Sequence, residues 1–306
     1  MPWPEFPRFK PIDLADRDFL HPRLWAYQPS TSELTFTNLF IWRKYYGFKW
    51  SVLDDCLVVV AAAPEGNPVP DAWALPPVGT GPRADTVLRL LRWLKEERGL
   101  ATPRIRRADR SLAAELEIRP DFAVSPVRDD FDYVFRSRDL IELAGSRYHA
   151  KRNHIHRFTE SQAVLYEPLA EPLLPGCLEL AEAWCTLKRC EDDLGLMGEW
   201  GAIKEILDRF GLLQIQGGVI LVEGRIKAFT LGEPLNAQTA VIHIEKADPQ
   251  VQGLYAVINQ EFCRRQWPDL AFINREQDLG EEGLRRAKLS YHPDHFEEKY
   301  EIRLVG

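Results

Sequence analysis

The stretch from Asn274 to Pro293, NREQDLGEEGLRRAKLSYHP, concentrates unusual chemistry just after two apolar residues, Phe272 and Ile273. An Asn at a strand end can hydrogen-bond a bound donor. Arg275 and Lys288 can meet negative charge, and Glu276 and Asp278 can bind a cationic amine. A phenol at Tyr291 can protonate a leaving group as it departs. The same residues also fit a packed surface turn, with Glu276 and Asp278 pairing Arg275, Arg285 or Arg286.

A second candidate is ADPQVQGLYAVINQEF, residues 247–262. A strand is expected to end near Glu245, followed by a polar loop and a helix from Gly253. Backbone N–H groups at such a helix start can hold a phosphate, which makes Gly253 a candidate donor-binding residue. A bare helix start without a ligand fits equally. Glu245 can act as a base toward an amine, or simply end its strand in solvent. A third candidate is GSRYHAKRNHIHRF, residues 145–158. This reads as a cationic helix whose Lys151 and Arg152 can contact phosphate or a tRNA end; a solvated face paired with neighbouring acids is the alternative. No two of its histidines are three or four apart, so no metal site is expected. No Gly-x-Ser-x-Gly, P-loop or HExxH motif occurs. In the first half the only phosphate-loop candidate is Gly79-Thr80-Gly81.

These groups need elements to place them. Asp54-Asp55 between two apolar runs predicts a hairpin of Phe48–Leu53 and Leu57–Ala62. Val87, Leu88, Leu90, Leu91 and Leu94 predict an amphipathic helix from Pro82, ended by Gly99. AAAPEGNPVPDAW (61–73) reads as loop. The second half predicts a basic helix over 146–159, helices over 178–190 and 199–210, and a meander of Ile215–Val222, Arg225–Gly232 and Ala240–Glu245. A helix to Gln266, a strand at Leu270–Ile273, a helix over 281–288 and a last strand at Glu298–Leu304 follow. Both halves run helices, meander, helix, strand, helix, strand, which predicts a duplicated mixed α/β fold with a boundary near residues 136–146.

With 306 residues, 45% of them hydrophobic, the chain can form two ordinary globular domains. A net charge of −7 argues against a global nucleic-acid footprint but leaves room for a local basic patch. No apolar run is long enough to span a membrane, and the start has no apolar signal region. The five cysteines form no CxxC pair, and Cys185 and Cys190 do not share a helical face, so free thiols in a reducing cytoplasm are expected.

SELTFTNLFIWRKYY (32–46), SRYHAKRNHIHRF (146–158) and NREQDLGEEGLRRAKLSYHP (274–293) together resemble one family. It is that of soluble proteins similar to the C-terminal domain of phosphatidylglycerol lysyltransferase, built as tandem GNAT domains of the Fem type. The resemblance covers nearly the whole chain, and its last motif is the most specific. It implies a duplicated GNAT-like acyltransferase fold, with an N-terminal domain over 1–140 and a C-terminal domain over 141–306 that carries the cleft. Gln250 and Gly253 match parts of the GNAT pyrophosphate loop, with Tyr255 where a small residue belongs. Asn274 and Tyr291 match, in order, the donor-binding Asn and the leaving-group acid, and Glu245 the base. The activity implied is transfer of an aminoacyl group, from aminoacyl-tRNA, to an amine or hydroxyl by direct attack. A coenzyme A-dependent N-acyltransferase and a non-catalytic binding module are the alternatives. The expected partners are tRNA or acyl-coenzyme A as donor and a small molecule or lipid head group as acceptor, without a further cofactor. The membrane-spanning flippase part of the full lysyltransferase is not expected here.

Overall fold

The computed structural model describes residues 3–62, 72–161 and 163–305. The expected loop at 61–73 therefore lies, over 63–71, outside the described residues. The chain forms two compact units: Met1–Asp132 with Gln277–Glu282 and Phe296–Gly306, and Tyr133–Glu276 with Gly283–His295.

The first unit is built on a sheet in the order Lys10–Pro11, Lys49–Leu53, Cys56–Ala61, Trp73–Ala74, Arg104–Ala108, Tyr300–Leu304, Phe122–Pro126. The expected hairpin forms, with Asp54 and Asp55 at φ 50° and 60°, as a two-residue turn with both centres left-handed requires. The Gly79-Thr80-Gly81 loop packs on that turn. A Cβ at Gly81 would lie 1.9 Å from the Asp54 carbonyl oxygen, so these glycines serve close packing. The amphipathic helix runs Arg83–Glu96 and buries Val87, Leu90, Leu91 and Leu94. Each such side chain contributes roughly 1.5–3 kcal/mol of burial. They pack with Ile105, Leu116, Phe122, Tyr300 and Ile302.

A set of charges is built into this unit. Lys299 is fully buried, its Nζ 2.6 Å from Asp132 Oδ1 and 2.7 Å from Glu33 Oε1. Ser32 donates its backbone N–H and its hydroxyl to Asp132, at 2.9 and 3.0 Å. Arg107 is buried beside Glu33 with Nε 3.5 Å from Oε1, and adopts φ 61°. Burial, the largest influence, opposes the Lys299 charge, but Asp132 and Glu33 outweigh it and hold the ammonium up.

We label the strands of the second sheet and the helices that accompany it. The strands are β1 Asp132–Arg136, β2 Val164–Pro168, β3 Gln216–Val222, β4 Arg225–Pro234, β5 Thr239–Ala247, β6 Phe272–Asn274 and β7 His295–Glu297. The helices are α1 Ser137–Glu142, α2 His149–Ser161, α3 Leu174–Lys188, α4 Leu194–Asp208, α5 Leu254–Gln266 and α6 Glu282–Leu289. The sheet order is β7-β1-β6-β5-β4-β3-β2. The β2 to β5 pairs are antiparallel, β5 and β6 are parallel, and β6 and β1 are antiparallel.

Two expectations are corrected here. The last strand, expected in the second domain, pairs with Arg104–Ala108 and Phe122–Pro126 in the first sheet, where Ile302 is fully buried. The strand at the end of the first half enters the second sheet as β1, so the two units are not simple sequence halves. Cys185 and Cys190 are not free thiols but are disulfide-bonded, with Cα atoms 5.1 Å apart. Helix α3 stops at Lys188, and Arg189 at φ 53° turns the chain back, so helical spacing does not apply between the two. The other cysteines, Cys56, Cys177 and Cys263, are free and buried.

Candidate functional site

Strands β5 and β6 pair only from Thr239–Val241 to Phe272–Asn274, yet β5 continues to Ala247. Beyond Val241 the parallel pairing has ended, and the side chains that follow β6 meet the far part of β5. Arg275 Nη2 lies 2.8 Å from Glu245 Oε1. The other Glu245 oxygen accepts from Asn259 Nδ2 on α5 at 2.9 Å. Burial, the largest influence, opposes the Arg275 charge; Glu245 and Tyr291 outweigh it, and its pKa is raised. Glu245 is thus the anchor of a largely buried guanidinium.

Two cations lie over the Tyr291 ring. Lys151 Nζ lies 3.7 Å from the ring centroid and Arg275 Cζ 4.9 Å from it. The Tyr291 carbonyl accepts from the Tyr148 hydroxyl at 2.8 Å, which ties the corner to the turn that opens α2. Burial pushes the Tyr291 phenol up to about 12, against the pull of Arg275. Burial and then the like charge of Arg275 bring the Lys151 ammonium down to about 8. A cation–π contact of a half-desolvated ammonium is worth about 1–2 kcal/mol. Among the described residues Lys151 has no carboxylate within ion-pair distance.

Other candidates are held in structural contacts. Asn274 is fully buried, and its Oδ1 accepts from the Glu276 N–H at 2.8 Å. Lys288 Nζ donates to the carbonyls of Arg275 and Glu276 at 2.7 and 3.1 Å, clamping the loop that carries Arg275. Arg152 donates to the carbonyls of Leu143 and Gly145. Gly253 starts α5 at φ 95°, and a Cβ there would lie 2.9 Å from the His154 carbonyl oxygen. The missing side chain lets α2 pack on the helix start. Gln250 lines a groove of about 880 Å³ with Trp184, Leu187, Arg225, Lys227 and Asp248, in which Lys227 and Asp248 are 2.9 Å apart. Asp278 belongs to the first unit, where it is fully buried, accepts from the Gly280 N–H at 2.9 Å and faces Arg128 at 3.5 Å.

Sequence reasoning missed His243, Glu233 and Asn259. On β5 the register passes from Ile242 opposite Gly232 to Ile244 opposite Leu231, leaving His243 as the extra residue of a bulge. Its ring nitrogens lie 2.9 Å from Glu233 on β4 and 2.9 Å from Glu276 beside Arg275. A lone His inside the apolar run TAVIHIEKA was the one available signal. Burial opposes its charge, but the two carboxylates raise it from 6.5 to about 9.

A raised folded pKa means this pair of contacts stabilises fully below about 6.5 and is lost as pH rises through about 9. A shift of that size corresponds to about 3 kcal/mol. In urea titrations, the stability difference between the parent and His243→Gln should shrink by that order between about pH 6 and 10. A difference constant with pH would show that His243 is neutral in the folded protein.

Among the described residues no group of three or more His, Cys, Asp or Glu side chains could hold a metal ion. No helix there is long and apolar enough to cross a membrane.

The family described as "Phosphatidylglycerol lysyltransferase, C-terminal" matches residues 26–303. A curated relative, the uncharacterized protein MYCGA3080 of Mycoplasmoides gallisepticum, is 22% identical over 182 residues, 57% of this chain and 56% of that protein. The chain thus spans about half the length of that relative. A conserved protein of unknown function from Bacteroides thetaiotaomicron superposes with a TM-score of 0.89 at 36% identity, over 97% of this chain and 99% of that one. The L-PGS structure from Bacillus licheniformis gives 0.64 at 14% identity, over 94% and 91% of the two chains. A tandem GNAT protein from the clavulanic acid biosynthesis pathway gives 0.50 at 9% identity, over 97% and 98%. The last two are alike in fold alone, and that fold is the duplicated GNAT-like acyltransferase fold.

Proposed function

The chain belongs to the phosphatidylglycerol lysyltransferase C-terminal family, and from that membership we propose that it transfers an aminoacyl group from an ester donor, aminoacyl-tRNA, to an amine or hydroxyl acceptor. Family and fold support acyl or aminoacyl transfer in general; the choice of an ester donor rests on Tyr291. A phenol at about 12 stays protonated at neutral pH and serves as an acid, not a base. A departing alkoxide is basic enough to take its proton. A departing thiolate, whose thiol has a pKa of about 8.5 in cysteine, needs no such acid. The packing of α2 on Gly253 also counts against a phosphate seat for coenzyme A there.

In this reading Arg275, fixed by Glu245, offers charge to the carbonyl oxygen as it becomes an oxyanion. Tyr291 protonates the leaving oxygen and regains a proton from the acceptor. Asn274 and Lys288 shape the loop that holds Arg275 in place. The exposed Arg157 of α2 would meet tRNA phosphates. Lipid head group and small amine remain the two acceptor types for trial.

Binding to aminoacyl-tRNA, deacylated tRNA and acetyl-coenzyme A should be compared at two salt concentrations. Salt-sensitive binding of tRNA supports the reading. Binding of acetyl-coenzyme A alone overturns it in favour of an N-acyltransferase.

A further inference from the structure

The parallel ladder between β5 and β6 stops at Val241 opposite Asn274. Beyond it, side chains join the two segments. Glu245 of β5 holds the Arg275 guanidinium, with Oε1 and Nη2 2.8 Å apart. His243, earlier on β5, holds the carboxylate of the next residue, with Nδ1 2.9 Å from Glu276 Oε1. Its Nε2 lies 2.9 Å from Glu233 Oε1 on β4. The bulge that places His243 here needs Gly232, where a Cβ would lie 2.3 Å from the Val241 carbonyl oxygen. The His243 side chain is 1% exposed, so water has almost no access to these contacts. A neutral imidazole has one N–H and one lone pair, and can donate to a single carboxylate. Facing Glu233 from β4 and Glu276 from the segment after β6, the ring donates to both only as an imidazolium.

Glu276 is also where the chain turns. It adopts φ 55°, a left-handed conformation that a residue with a side chain keeps only when its surroundings fix it. Its N–H donates to Asn274 Oδ1 at 2.8 Å. Its carbonyl accepts from the Tyr133 N–H at 3.2 Å and from Lys288 Nζ at 3.1 Å. Its side chain is held by His243. Arg275 is bonded directly before this corner, so the geometry of the corner sets where the guanidinium points.

We propose that His243 is a positioning residue for Arg275: as an imidazolium bridging Glu233 and Glu276, it fixes the left-handed corner from which Arg275 reaches Glu245 and the Tyr291 ring. This rests on the role given to Arg275 above, as the charge offered to the reacting carbonyl. His243 touches no reacting atom and moves no proton; it acts through Glu276 and the backbone that follows Arg275. The two carboxylates raise its pKa to about 9 against the effect of burial, which keeps the bridge charged at neutral pH.

The test uses the full chain and His243→Gln, which removes the cation but keeps a polar side chain. Nitrogen-15 NMR of the histidine rings, assigned by the signal missing from the variant, should show both His243 nitrogens protonated at neutral pH and one proton lost near about pH 9. A crystal structure of the variant should show the corner relaxed and Arg275 released from Glu245; neither readout depends on the donor. With the tRNA ester and with an activated p-nitrophenyl ester alike, kcat should fall by about 10–100-fold at little change in donor KM, because a carbonyl is attacked in both. In an Arg275→Met background His243→Gln should cost no further rate, since its effect passes through Arg275. Should His243→Gln fail to fold, Glu276→Ala cuts the same contact from the other end and takes the same measurements. A single protonated ring nitrogen at neutral pH overturns the proposal. So does a folded variant in which Arg275 stays on Glu245 and kcat is unchanged. Rate losses that multiply in the double variant would overturn it too, by giving His243 a route other than Arg275. A relaxed corner in a protein that transfers from no aminoacyl ester would leave the positioning role standing and sink the donor reading.

Discussion

Replacing Lys299 by Met should lower unfolding stability by about 3–5 kcal/mol, as removal of one partner from a buried charge group does. The ammonium has no solvent access, and it satisfies Asp132 and Glu33 together. Without it two carboxylates remain buried, and Asp132 loses its ammonium partner while keeping the two hydrogen bonds from Ser32. One Glu33 oxygen, Oε2, already lacks a hydrogen-bond partner, and Arg107, 3.5 Å from Oε1, would be the cation left beside it. Burial is the largest influence raising the Glu33 pKa, so in the variant this group would take up a proton more readily. Urea denaturation followed by tryptophan fluorescence would measure the loss. Adding Glu33→Gln to Lys299→Met should recover part of it, because one stranded charge is removed. A loss below about 1 kcal/mol would mean that water reaches the cluster and screens it.

The second large effect concerns chemistry. Tyr291→Phe should cut kcat by about 10²–10⁴-fold with an alkoxide leaving group, the usual worth of a positioned acid. In free energy that is about 3–5 kcal/mol of transition-state stabilisation. The ring itself would keep its contacts with Lys151 and Arg275, so folding and donor affinity should change little. The loss should largely vanish with a p-nitrophenyl ester of the same amino acid, whose leaving group needs no proton. Equal losses with both esters would assign Tyr291 to packing instead.

How far the sequence could carry these conclusions depended on the range of the contacts involved. The hairpin at Asp54-Asp55 and the helix Arg83–Glu96 follow from local turn chemistry and 3.6-residue spacing, and both form. Tyr291 could be singled out because motif order ties it to the strand and helix before it. Three features lay beyond such signals. An alternating strand such as Tyr300–Leu304 records which face is buried but not which sheet will take it, and here it joins the first. The Glu233–His243–Glu276 contacts depend on a bulge between β4 and β5, which sets which side chains meet across strands. The Cys185–Cys190 bond depends on where a helix stops, and a single left-handed Arg189 decides that. Roles assigned by charge alone were the least secure. Arg152 and Lys288 carry charge at the expected places, yet their hydrogen bonds go to backbone carbonyls, which no count of basic residues can foretell.

The most direct test of the central claim is a side-by-side assay of one aminoacyl group on two carriers. The same amino acid would be supplied as its tRNA ester and as its coenzyme A thioester, with a simple amine in excess as acceptor. Transfer from the tRNA ester above the uncatalysed rate, lost in Tyr291→Phe, is the predicted result. Transfer from the thioester alone, with the tRNA ester inert, would contradict the account.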